Sequence, residues 1–431
     1  MIHIIHNGEK KILFLSNRME FYKINKHTEE IINMICQYKD KNVVERKFNV
    51  PLEEVERVGN ILKRDTKLAT VAKEYPYLRK LILNISNKCN LNCRYCYANG
   101  GTYFSKDGLM DEENAREAIN KFLYVFGEIE YIQFFGGEPL LNYTLIDFVC
   151  EYISNLFKEK KIHIFPRFGI VTNGTIMNDE ILRILSKYKI AVTISCDGPQ
   201  KVNDALRINK NQEGTYQQIV KNIEILKNKN NILPNIEVTY TEYHHNQGIK
   251  IPDLLEFFKK TFGIENVHIA PVSLEKSHEL ALQNYEDFLE TISSETIKDN
   301  RIIFKVKNLI FNLQHKCGDY KICGAGTDTF SVGVNGQVYP CFMMTDMEDY
   351  IVTNVNLDKE IFMEDIRGAK EKYCFNKLVD EPCKDCFNNL LCNGCMGCNV
   401  FETKNPFVPS KSQCEFLKGL TEKVIAELTY L

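Results

Sequence analysis

The chain has 431 residues, which at about 150 residues per domain corresponds to roughly three domains and excludes a single small module. Apolar residues make up 44% and charged residues 26% of the chain, with 23 Gly and 12 Pro, so the composition excludes disordered, collagen-like and low-complexity proteins. Lys and Arg total 54 against 57 Asp and Glu, and the formal charge of -3 gives no footprint for nucleic acid or an anionic membrane. We therefore expect neither as a partner.

The N-terminal segment does not have the composition of a secretory signal. Lys10 and Lys11 interrupt the apolar stretch that a signal peptide would need, and no run of 18 apolar residues occurs in the sequence. We therefore expect a cytoplasmic protein. Because a reducing compartment does not maintain disulfides, the clusters among the 16 cysteines are predicted to hold metal.

Residues 1–75 are predicted to form a small winged-helix-like domain. Period-two patterns predict three short strands, at 2–5, 11–15 and 20–24. Three amphipathic helices follow, of which the first begins near Thr28 and the third follows Pro51. A linker of mixed charge over residues 64–77 leads to the next domain.

Strand and helix patterns alternate over residues 79–310, which we predict to be a second domain. Six strands are predicted, at 81–85, 129–135, 168–172, 191–196, 236–241 and 266–270. Helical runs separate them, among them 112–126, 145–157 and 216–226. This alternation is typical of βαβ units with parallel strands. It predicts an α/β fold, an open partial (β/α)6 barrel that binds ligands at the carboxyl ends of its strands.

The first cysteine motif directly follows the first predicted barrel strand. It is Cys89-Asn-Leu-Asn-Cys93-Arg-Tyr-Cys96, a C-x3-C-x2-C triplet. Three thiolates at this spacing can hold three irons of a four-iron cluster and leave the fourth iron open to an exogenous ligand, which indicates catalysis. A zinc knuckle is the alternative, although zinc prefers four protein ligands in paired motifs and no nearby His or Cys completes this one.

With Tyr95 just before its third cysteine, the motif resembles that of radical S-adenosylmethionine (SAM) enzymes. The resemblance implies that Cys89, Cys93 and Cys96 are catalytic residues that hold a [4Fe-4S] cluster, and that SAM binds the open iron. One-electron cleavage of SAM would give a 5'-deoxyadenosyl radical that removes a hydrogen atom from the substrate. An electron donor such as flavodoxin or ferredoxin is therefore implied as a partner.

Further motifs lie where the next predicted strands end. Gly136-Gly137-Glu138-Pro139 resembles the GGEP turn of the same family, which implies that the glycines let backbone groups approach SAM and that Glu138 holds its ammonium group. Five polar residues resemble the family's contacts to the SAM ribose and carboxylate: Thr172, Asn173, Ser195, Asp197 and Arg207. Period-two alternation places Ser195 and Asp197 on the same side.

Residues 311–431 carry ten of the 16 cysteines and few apolar runs, so we expect this region to need metal staples. Nine cysteines are candidates for the eight ligand positions of two four-iron clusters: Cys317, Cys323, Cys341, Cys383, Cys386, Cys392, Cys395, Cys398 and Cys414. Their order resembles the SPASM extension of radical SAM enzymes, which carries two auxiliary clusters and brings the implied total to three [4Fe-4S] clusters. A pair of zinc ribbons is the alternative.

The SPASM resemblance divides these cysteines into two ligand sets. One set holds the first auxiliary cluster: Cys317, Cys323, Cys341 and one later cysteine. Another holds the second auxiliary cluster: Cys383, Cys386, Cys392 and Cys414. The family pattern would place the late ligand of the first cluster at the position of Met396. Either Cys395 or Cys398 must therefore substitute, and the spacing does not decide between them.

Other cysteines and histidines are given no ligand role. Cys36 and Cys150 lie in apolar helical runs, and we predict both to be small buried side chains, with packing also the expected role of Cys196. The nine histidines show no ligand spacing, and His244-His245 is interpreted as a loop feature.

The N-terminal domain resembles the peptide-recognition element of enzymes that modify ribosomally made peptides. This implies a precursor peptide as partner, whose leader adds a strand to the exposed edge at 20–24 and inserts apolar side chains beside the third helix. A dimerisation lobe or a DNA-binding winged helix is the alternative. The whole chain is identified as a radical SAM/SPASM peptide maturase, an oxidoreductase that forms thioether crosslinks from Cys sulfur to carbon, as in sactipeptides and ranthipeptides.

Three other functions remain open. Carbon-carbon crosslinking of a peptide would use the same machinery up to the substrate radical. Sulfatase-type formylglycine maturation is a second alternative, although those relatives typically carry an Asp after the cysteine that corresponds to Cys341, where this chain has Phe342. The non-enzymatic alternative is a zinc-stapled scaffold that binds peptides.

Overall fold

A computed structural model describes residues 1–38, 41–63, 69–71 and 75–430. The predicted strands and helices of the N-terminal domain are present: β1 (Ile2–Asn7), β2 (Lys10–Leu15), β3 (Glu20–Ile24), α1 (Lys26–Tyr38), α2 (Lys41–Phe48) and α3 (Leu52–Lys63). The three strands form an antiparallel sheet in the order β1-β2-β3, in which β3 is an edge. Residues 64–68 and 72–74 of the predicted linker lie outside the described residues.

The two faces of the N-terminal sheet pack in different directions. Leu13 and Leu15 of β2 face a local core with Ile31 of α1 and Val55 of α3. Phe14, which alternates with them, belongs instead to the main core of the chain. The N-terminal sheet is therefore anchored on the rest of the protein through one face and covered by its own helices on the other.

The middle of the chain forms the predicted parallel sheet. After a short strand β4 (Thr70–Val71), its elements are β5 (Lys80–Ser86), α4 (Glu112–Phe126), β6 (Tyr131–Gly136), α5 (Tyr143–Lys158), β7 (Arg167–Thr172), α6 (Asp179–Lys187), β8 (Ala191–Ser195), α7 (Gln200–Leu206), α8 (Tyr216–Asn230), β9 (Asn235–Tyr240), α9 (Glu242–Asn246), α10 (Ile251–Phe262) and β10 (Val267–Pro271). The six strands from β5 to β10 pair in sequence order and in parallel, as in a (β/α) barrel.

Alternate residues of each strand face opposite sides of the sheet, one side toward the main core and the helices and the other toward the inside of the partial barrel. In β5, Leu81, Leu83 and Ile85 are fully buried in the main core against the helices. The alternate residues, beginning with Lys80, face the opposite side. Since the carboxyl ends of parallel strands meet at one edge, polar residues that follow each strand lie close together there.

The C-terminal region extends the same sheet. Its elements are α11 (Glu286–Glu290), α12 (Ser294–Lys298), α13 (Phe304–His315), β11 (Cys317–Gly318), β12 (Thr329–Val332), β13 (Gln337–Tyr339), β14 (Thr353–Asn354), α14 (Lys359–Lys372), α15 (Met396–Thr403) and α16 (Lys411–Leu428). β12 pairs in parallel with β5, which gives a sheet of nine strands, and β11 pairs with β4.

Residues 311–431 contribute to the main apolar core, and the need of this region for metal staples stays a prediction. Phe330, Val338, Phe362 and Val424 are all fully buried and belong to the main core. Phe330 and Val338 lie in strands of only four and three residues, β12 and β13, which are too short for a periodic pattern to be read, whereas Phe362 and Val424 lie in α14 and α16. Within the described ranges, no helix combines the length and the apolar character needed to span a bilayer.

Candidate active site

One cavity connects the two groups of cysteines. It has a volume of about 530 Å³, a size typical of small-molecule sites. Cys89, Cys93 and Cys96 line one part of it, and Cys395 and Cys398 line another. The N-terminal cysteine motif and the C-terminal region therefore share a single chamber.

Tyr95 fixes the first cysteine motif to the end of the sheet. Its hydroxyl donates to Asp197 Oδ2 at 2.7 Å and accepts from Arg207 Nη1 at 2.6 Å. Asp197 is fully buried just beyond β8, and its Oδ1 accepts from the backbone N–H of Thr239 on β9. Tyr95 therefore links Asp197 and Arg207, two of the predicted SAM contacts. Because β8 ends at Ser195, alternation does not extend to Asp197, and of these two residues Ser195 lines the cavity.

His244 supports the same corner, and its interpretation as a loop residue is wrong. It lies in α9 and is fully buried. Its Nδ1 accepts from the backbone N–H of Thr241 at 3.1 Å, which leaves Nε2–H to donate to the backbone oxygen of Asp197 at 2.9 Å. The Thr241-x-x-His244 spacing resembles a capping box, which is a sequence signal for the contact between these two residues.

The predicted glycine turn is tightly packed against the cysteine motif. A Cβ at Gly101 would lie 2.6 Å from Gly137 Cα and 2.8 Å from Cys89 Cβ. A Cβ at Gly137 would lie 2.7 Å from the carbonyl carbon of Lys88, the residue before the first cysteine. Both Gly136 and Gly137 line the cavity. Only residues without a side chain fit this backbone approach.

Glu138 has partners within the protein. Its fully buried carboxylate accepts from Leu140 N at 2.9 Å, Thr172 Oγ1 at 2.8 Å and Asn173 N at 2.8 Å. These bonds join the ends of β6 and β7. Pro139, also buried, begins the short turn that follows. A role of Glu138 toward the SAM ammonium stays a prediction, and the carboxylate itself acts as a structural clamp.

Arg207 provides a test of whether the site fits SAM. It is 6% exposed and lines the cavity, and its Nε has no hydrogen-bond partner within the described part of the chain. A buried guanidinium N–H without a partner suits a carboxylate ligand. Thr172, Asn173 and Ser195 line the cavity as well, with Asn173 Nδ2 3.7 Å from Cys89 Sγ. These residues fit a ligand that carries a carboxylate beside the triplet.

The three cysteines of the first motif converge. Burial raises the pKa of Cys89 to about 12, and the charges of Cys93 and Cys96 act in the same direction. Burial also raises the pKa of Cys93, whereas the nearby Arg207 guanidinium opposes this change. Such thiols lose their protons when they bind metal, because the positive charge of the metal stabilises the buried thiolate.

In the second auxiliary set, Cys383 lies close enough to the other three cysteines for their charges to act on it. Burial raises the pKa of Cys383 to about 11, and the charges of Cys392, Cys386 and Cys414 add to this effect. Among the described residues, which include all 16 cysteines, no three His, Cys, Asp or Glu side chains could hold a single metal ion.

Cys395 lies near Cys323 and Cys341, two cysteines of the first auxiliary set. Its Sγ is 3.9 Å from Met343 Sδ, two residues after Cys341, and its charge acts on both Cys323 and Cys341. Cys398 Sγ instead contacts Ser273 Oγ at 3.6 Å, beyond β10.

The hydrogen bond from Cys398 lowers the pKa of Cys395 to about 6 and raises that of Cys398. Cys317 contacts Asn312 Oδ1 at 3.5 Å, and its membership of the first set stays a prediction.

The remaining cysteines divide as follows. Cys150 and Cys196 are fully buried, as predicted. The prediction for Cys36 is wrong because this residue is exposed. The buried residues of α1 are Ile31 and Ile32, and Cys36 lies beyond them in the last turns of the helix.

Comparison with known proteins identifies the family. Residues 83–243 match the Radical SAM superfamily. An uncharacterised protein of Methanocaldococcus jannaschii is 32% identical over 69% of this chain and 95% of its own length. A cysteine-type anaerobic sulfatase-maturating enzyme of Clostridium novyi is 28% identical over 82% of this chain and 97% of its own length. Radical SAM cyclopropyl synthase TigE of Paramaledivibacter caminithermalis is 27% identical over 81% of this chain and 74% of its own length.

The chain belongs to the Radical SAM superfamily and is an enzyme. Solved structures share its α/β fold. The structure of anSMEcpe with bound AdoMet and Cp18Cys peptide has a TM-score of 0.65 at 22% identity and covers 82% of this chain and 99% of that one. Streptococcus suis SuiB bound to precursor peptide SuiA has a TM-score of 0.52 at 15% identity and covers 96% and 100%. Membership of the superfamily brings SAM and a [4Fe-4S] cluster as cofactors.

Proposed function

We propose that this enzyme forms thioether crosslinks, from Cys sulfur to carbon, in a ribosomally made precursor peptide. The observation that carries the proposal is the single cavity lined both by Cys89, Cys93 and Cys96 and by Cys395 and Cys398. A peptide side chain in this chamber would lie between the cysteine triplet and the C-terminal cysteines. The relatives support a peptide substrate, since solved structures of similar fold hold a Cp18Cys peptide and the precursor peptide SuiA.

Each group of residues has a distinct part in this proposal. Cys89, Cys93 and Cys96 hold the cluster, and Arg207 and Ser195 bind polar groups of SAM. When bound, the cluster and SAM supply a 5'-deoxyadenosyl radical that takes a hydrogen atom from the substrate. The two C-terminal sets hold further [4Fe-4S] clusters, which makes three, and a flavodoxin or ferredoxin donates electrons.

The apolar part of the cavity excludes water from the reacting groups. Phe342 lines the cavity and packs on Phe135 of β6, with ring centroids 4.5 Å apart. An apolar wall at this place protects a reactive carbon from solvent. It also means that the residue after Cys341 supplies no carboxylate.

The N-terminal domain, residues 1–75, is proposed to bind the leader of the precursor. β3 is an edge strand, so its outer backbone groups are available for strand addition. Tyr22 and Ile24 of β3 and Ile61 and Leu62 of α3 are partly buried and pack against the local core of this domain, so the edge strand and the third helix both carry apolar side chains.

Ile24→Glu tests this role in the full-length enzyme. We expect binding of a labelled leader peptide to weaken by at least about tenfold, or about 1.4 kcal/mol. Val43→Glu is the matched control, because Val43 is an exposed apolar residue of the same domain that lies on α2 and not on the edge strand. Unchanged leader affinity in a folded Ile24→Glu enzyme would remove the role of the edge.

Formylglycine formation is a second candidate function, and sequence similarity to known enzymes supports it equally well. The Clostridium novyi relative, a sulfatase-maturating enzyme, is as similar as TigE, whose name describes cyclopropyl synthesis. Against it stands Phe342 in the position where those enzymes typically carry an Asp. The structural matches favour a precursor peptide as the substrate, because the match to SuiB covers 96% of this chain whereas the match to anSMEcpe covers 82%.

The deciding experiment is anaerobic incubation of the reconstituted enzyme with SAM, reductant and a cysteine-rich peptide encoded beside this gene. A thioether product loses two hydrogens for each bond and resists thiol alkylation at the crosslinked cysteine. Tandem fragmentation then shows whether sulfur is one end of the bond. A product that has lost its sulfur would support formylglycine instead, and a crosslinked product with its thiols still free would support carbon-carbon bond formation.

A further inference from the structure

Two titratable side chains lie side by side on the inner wall of the sheet. Glu237 of β9 pairs in register with Ser195 of β8 on one side and with His268 of β10 on the other. All three line the cavity, so they form one row across three neighbouring strands. Adjacent strands are about 4.8 Å apart, which puts Glu237 and His268 one and two strands away from Ser195, a proposed SAM contact.

The two side chains contact each other and remain open to the cavity. His268 Nδ1 lies 3.6 Å from Glu237 Oε1. The side chains are 43% and 35% exposed, respectively, although both belong to the wall of the sheet. Phe304 of α13 lies edge-on to the imidazole, with centroids 6.4 Å apart. The Glu237 carboxylate beside Nδ1 favours the tautomer with its proton there, which leaves the Nε2 lone pair as an acceptor.

Other charged groups also line the cavity. Lys80 and Lys305 line the same cavity as the pair. Burial lowers the pKa of Lys80, while the charges of Cys341 and Glu237 act in the opposite direction. Glu402 lines the cavity from α15 but is an exposed carboxylate without a histidine partner among the contacts described for it.

We propose that Glu237 and His268 form the pair that removes the proton from the substrate cysteine thiol. The step is a proton transfer: the S–H bond breaks, an N–H bond forms at His268 Nε2, and the electron pair stays on sulfur as a thiolate. Glu237 stabilises the imidazolium that results, as a carboxylate does beside a general-base histidine. This inference rests on the proposed function, since a thioether forms from a thiol that has lost its proton.

His268→Gln and Glu237→Gln test the pair in the reconstituted enzyme, with the Cp18Cys peptide and the cysteine-rich peptide encoded beside this gene as probes. We expect the rate of peptide modification to fall about 100-fold in His268→Gln, which is a typical contribution of a general base. Peptide affinity and the formation of 5'-deoxyadenosine should stay within about twofold, because the general-base step is separate from binding. The amount of 5'-deoxyadenosine formed for each modified peptide therefore rises.

Glu265→Gln is the matched control, because Glu265 is an exposed carboxylate just before β10 that pairs with Lys259 on the surface. A purely structural role of the pair would lower peptide affinity and 5'-deoxyadenosine formation together, and that outcome would overturn the proposal. Unchanged modification in both variants, or a loss that follows Glu402→Gln instead, would overturn it as well.

Failure of the proposed Glu237–His268 pair can be distinguished from failure of the proposed thioether reaction. If the wild-type enzyme converts the cysteine to formylglycine, the thioether proposal fails. The ratio of 5'-deoxyadenosine to modified peptide still decides the role of the pair, because that reaction also starts from a cysteine thiol that loses its proton.

Discussion

The hydroxyl of Tyr95 donates a 2.7 Å hydrogen bond to Asp197 Oδ2, and this bond joins the cysteine motif to the end of β8. Neither group has access to bulk water, since Tyr95 is 8% exposed and Asp197 is 0% exposed. The Arg207 guanidinium completes the contact by donating to the same hydroxyl. The loop that presents the cysteines is therefore held by a buried, charged network.

Tyr95→Phe should destabilise the protein. It keeps the ring but leaves Asp197 Oδ2 without its donor, and an unsatisfied buried acceptor costs about 1–3 kcal/mol. Anaerobic denaturant unfolding of the reconstituted enzyme measures this loss. Tyr124→Phe is the control, because Tyr124 is 48% exposed and should leave stability unchanged. Equal stabilities of Tyr95→Phe and wild type would show that the hydroxyl does not anchor the loop.

Gly137→Ala should lower the cluster content of the first site. The new Cβ would lie 2.7 Å from the carbonyl carbon of Lys88, so the backbone that leads into Cys89 must shift. We expect loss of about four irons per chain and of SAM cleavage. Gly368→Ala in α14 is the control, because a Cβ there meets nothing within 4 Å. It should stabilise the helix by about 0.5–1 kcal/mol, and full iron content in Gly137→Ala would contradict the crowding argument.

The parallel sheet and the position of the first cysteine motif could be predicted because their signals are local. Apolar runs alternate with amphipathic helices, and polar motifs follow the strands directly. The contact between Glu237 and His268 could not be predicted, because it depends on the register of two strands separated by α9 and α10. A one-residue shift in register would turn either side chain to the opposite face.

Long-range packing explains the other differences. The pairing of β12 with β5 joins short segments from distant parts of the chain, and a strand of four residues carries no periodic pattern of its own. Burial of His244 likewise depends on how α9 docks beneath the turn that contains Asp197. The sequence spacing did not distinguish Cys395 from Cys398. The fold does distinguish them, because it places Cys395 beside Met343 and Cys398 beside Ser273.

Cys395→Ser should remove the first auxiliary cluster, whereas Cys398→Ser should leave it in place. Cys395 lies beside Met343 and acts electrostatically on Cys323 and Cys341, while Cys398 contacts Ser273. We expect about four fewer irons per chain in Cys395→Ser, measured by iron analysis and by electron paramagnetic resonance of the reduced enzyme. Cys374→Ser is the control, since Cys374 is exposed and outside both sets. The reverse pattern would assign the ligand to Cys398.

His244 should make the stability of the protein sensitive to mild acid. Burial lowers the pKa of His244 below its ordinary value of 6.5, although the charge of Asp197 opposes this change. As pH falls through 6.5, the unfolded chain takes up a proton that the folded protein does not. The stability contributed by the neutral, buried ring is therefore present above that pH and is lost as pH falls.

His244→Gln isolates this effect. At pH near 7.5 the variant should be less stable than wild type by about 1–3 kcal/mol, because the bonds to Thr241 and Asp197 are weakened. The difference should narrow toward pH 5.5, since only the wild type loses stability through this group. Denaturant unfolding at the two pH values, at matched iron content, measures the gap. His163→Gln is the control, because His163 is 82% exposed on the surface. Parallel stability curves for wild type and His244→Gln would show that His244 is not held neutral beneath the cysteine loop.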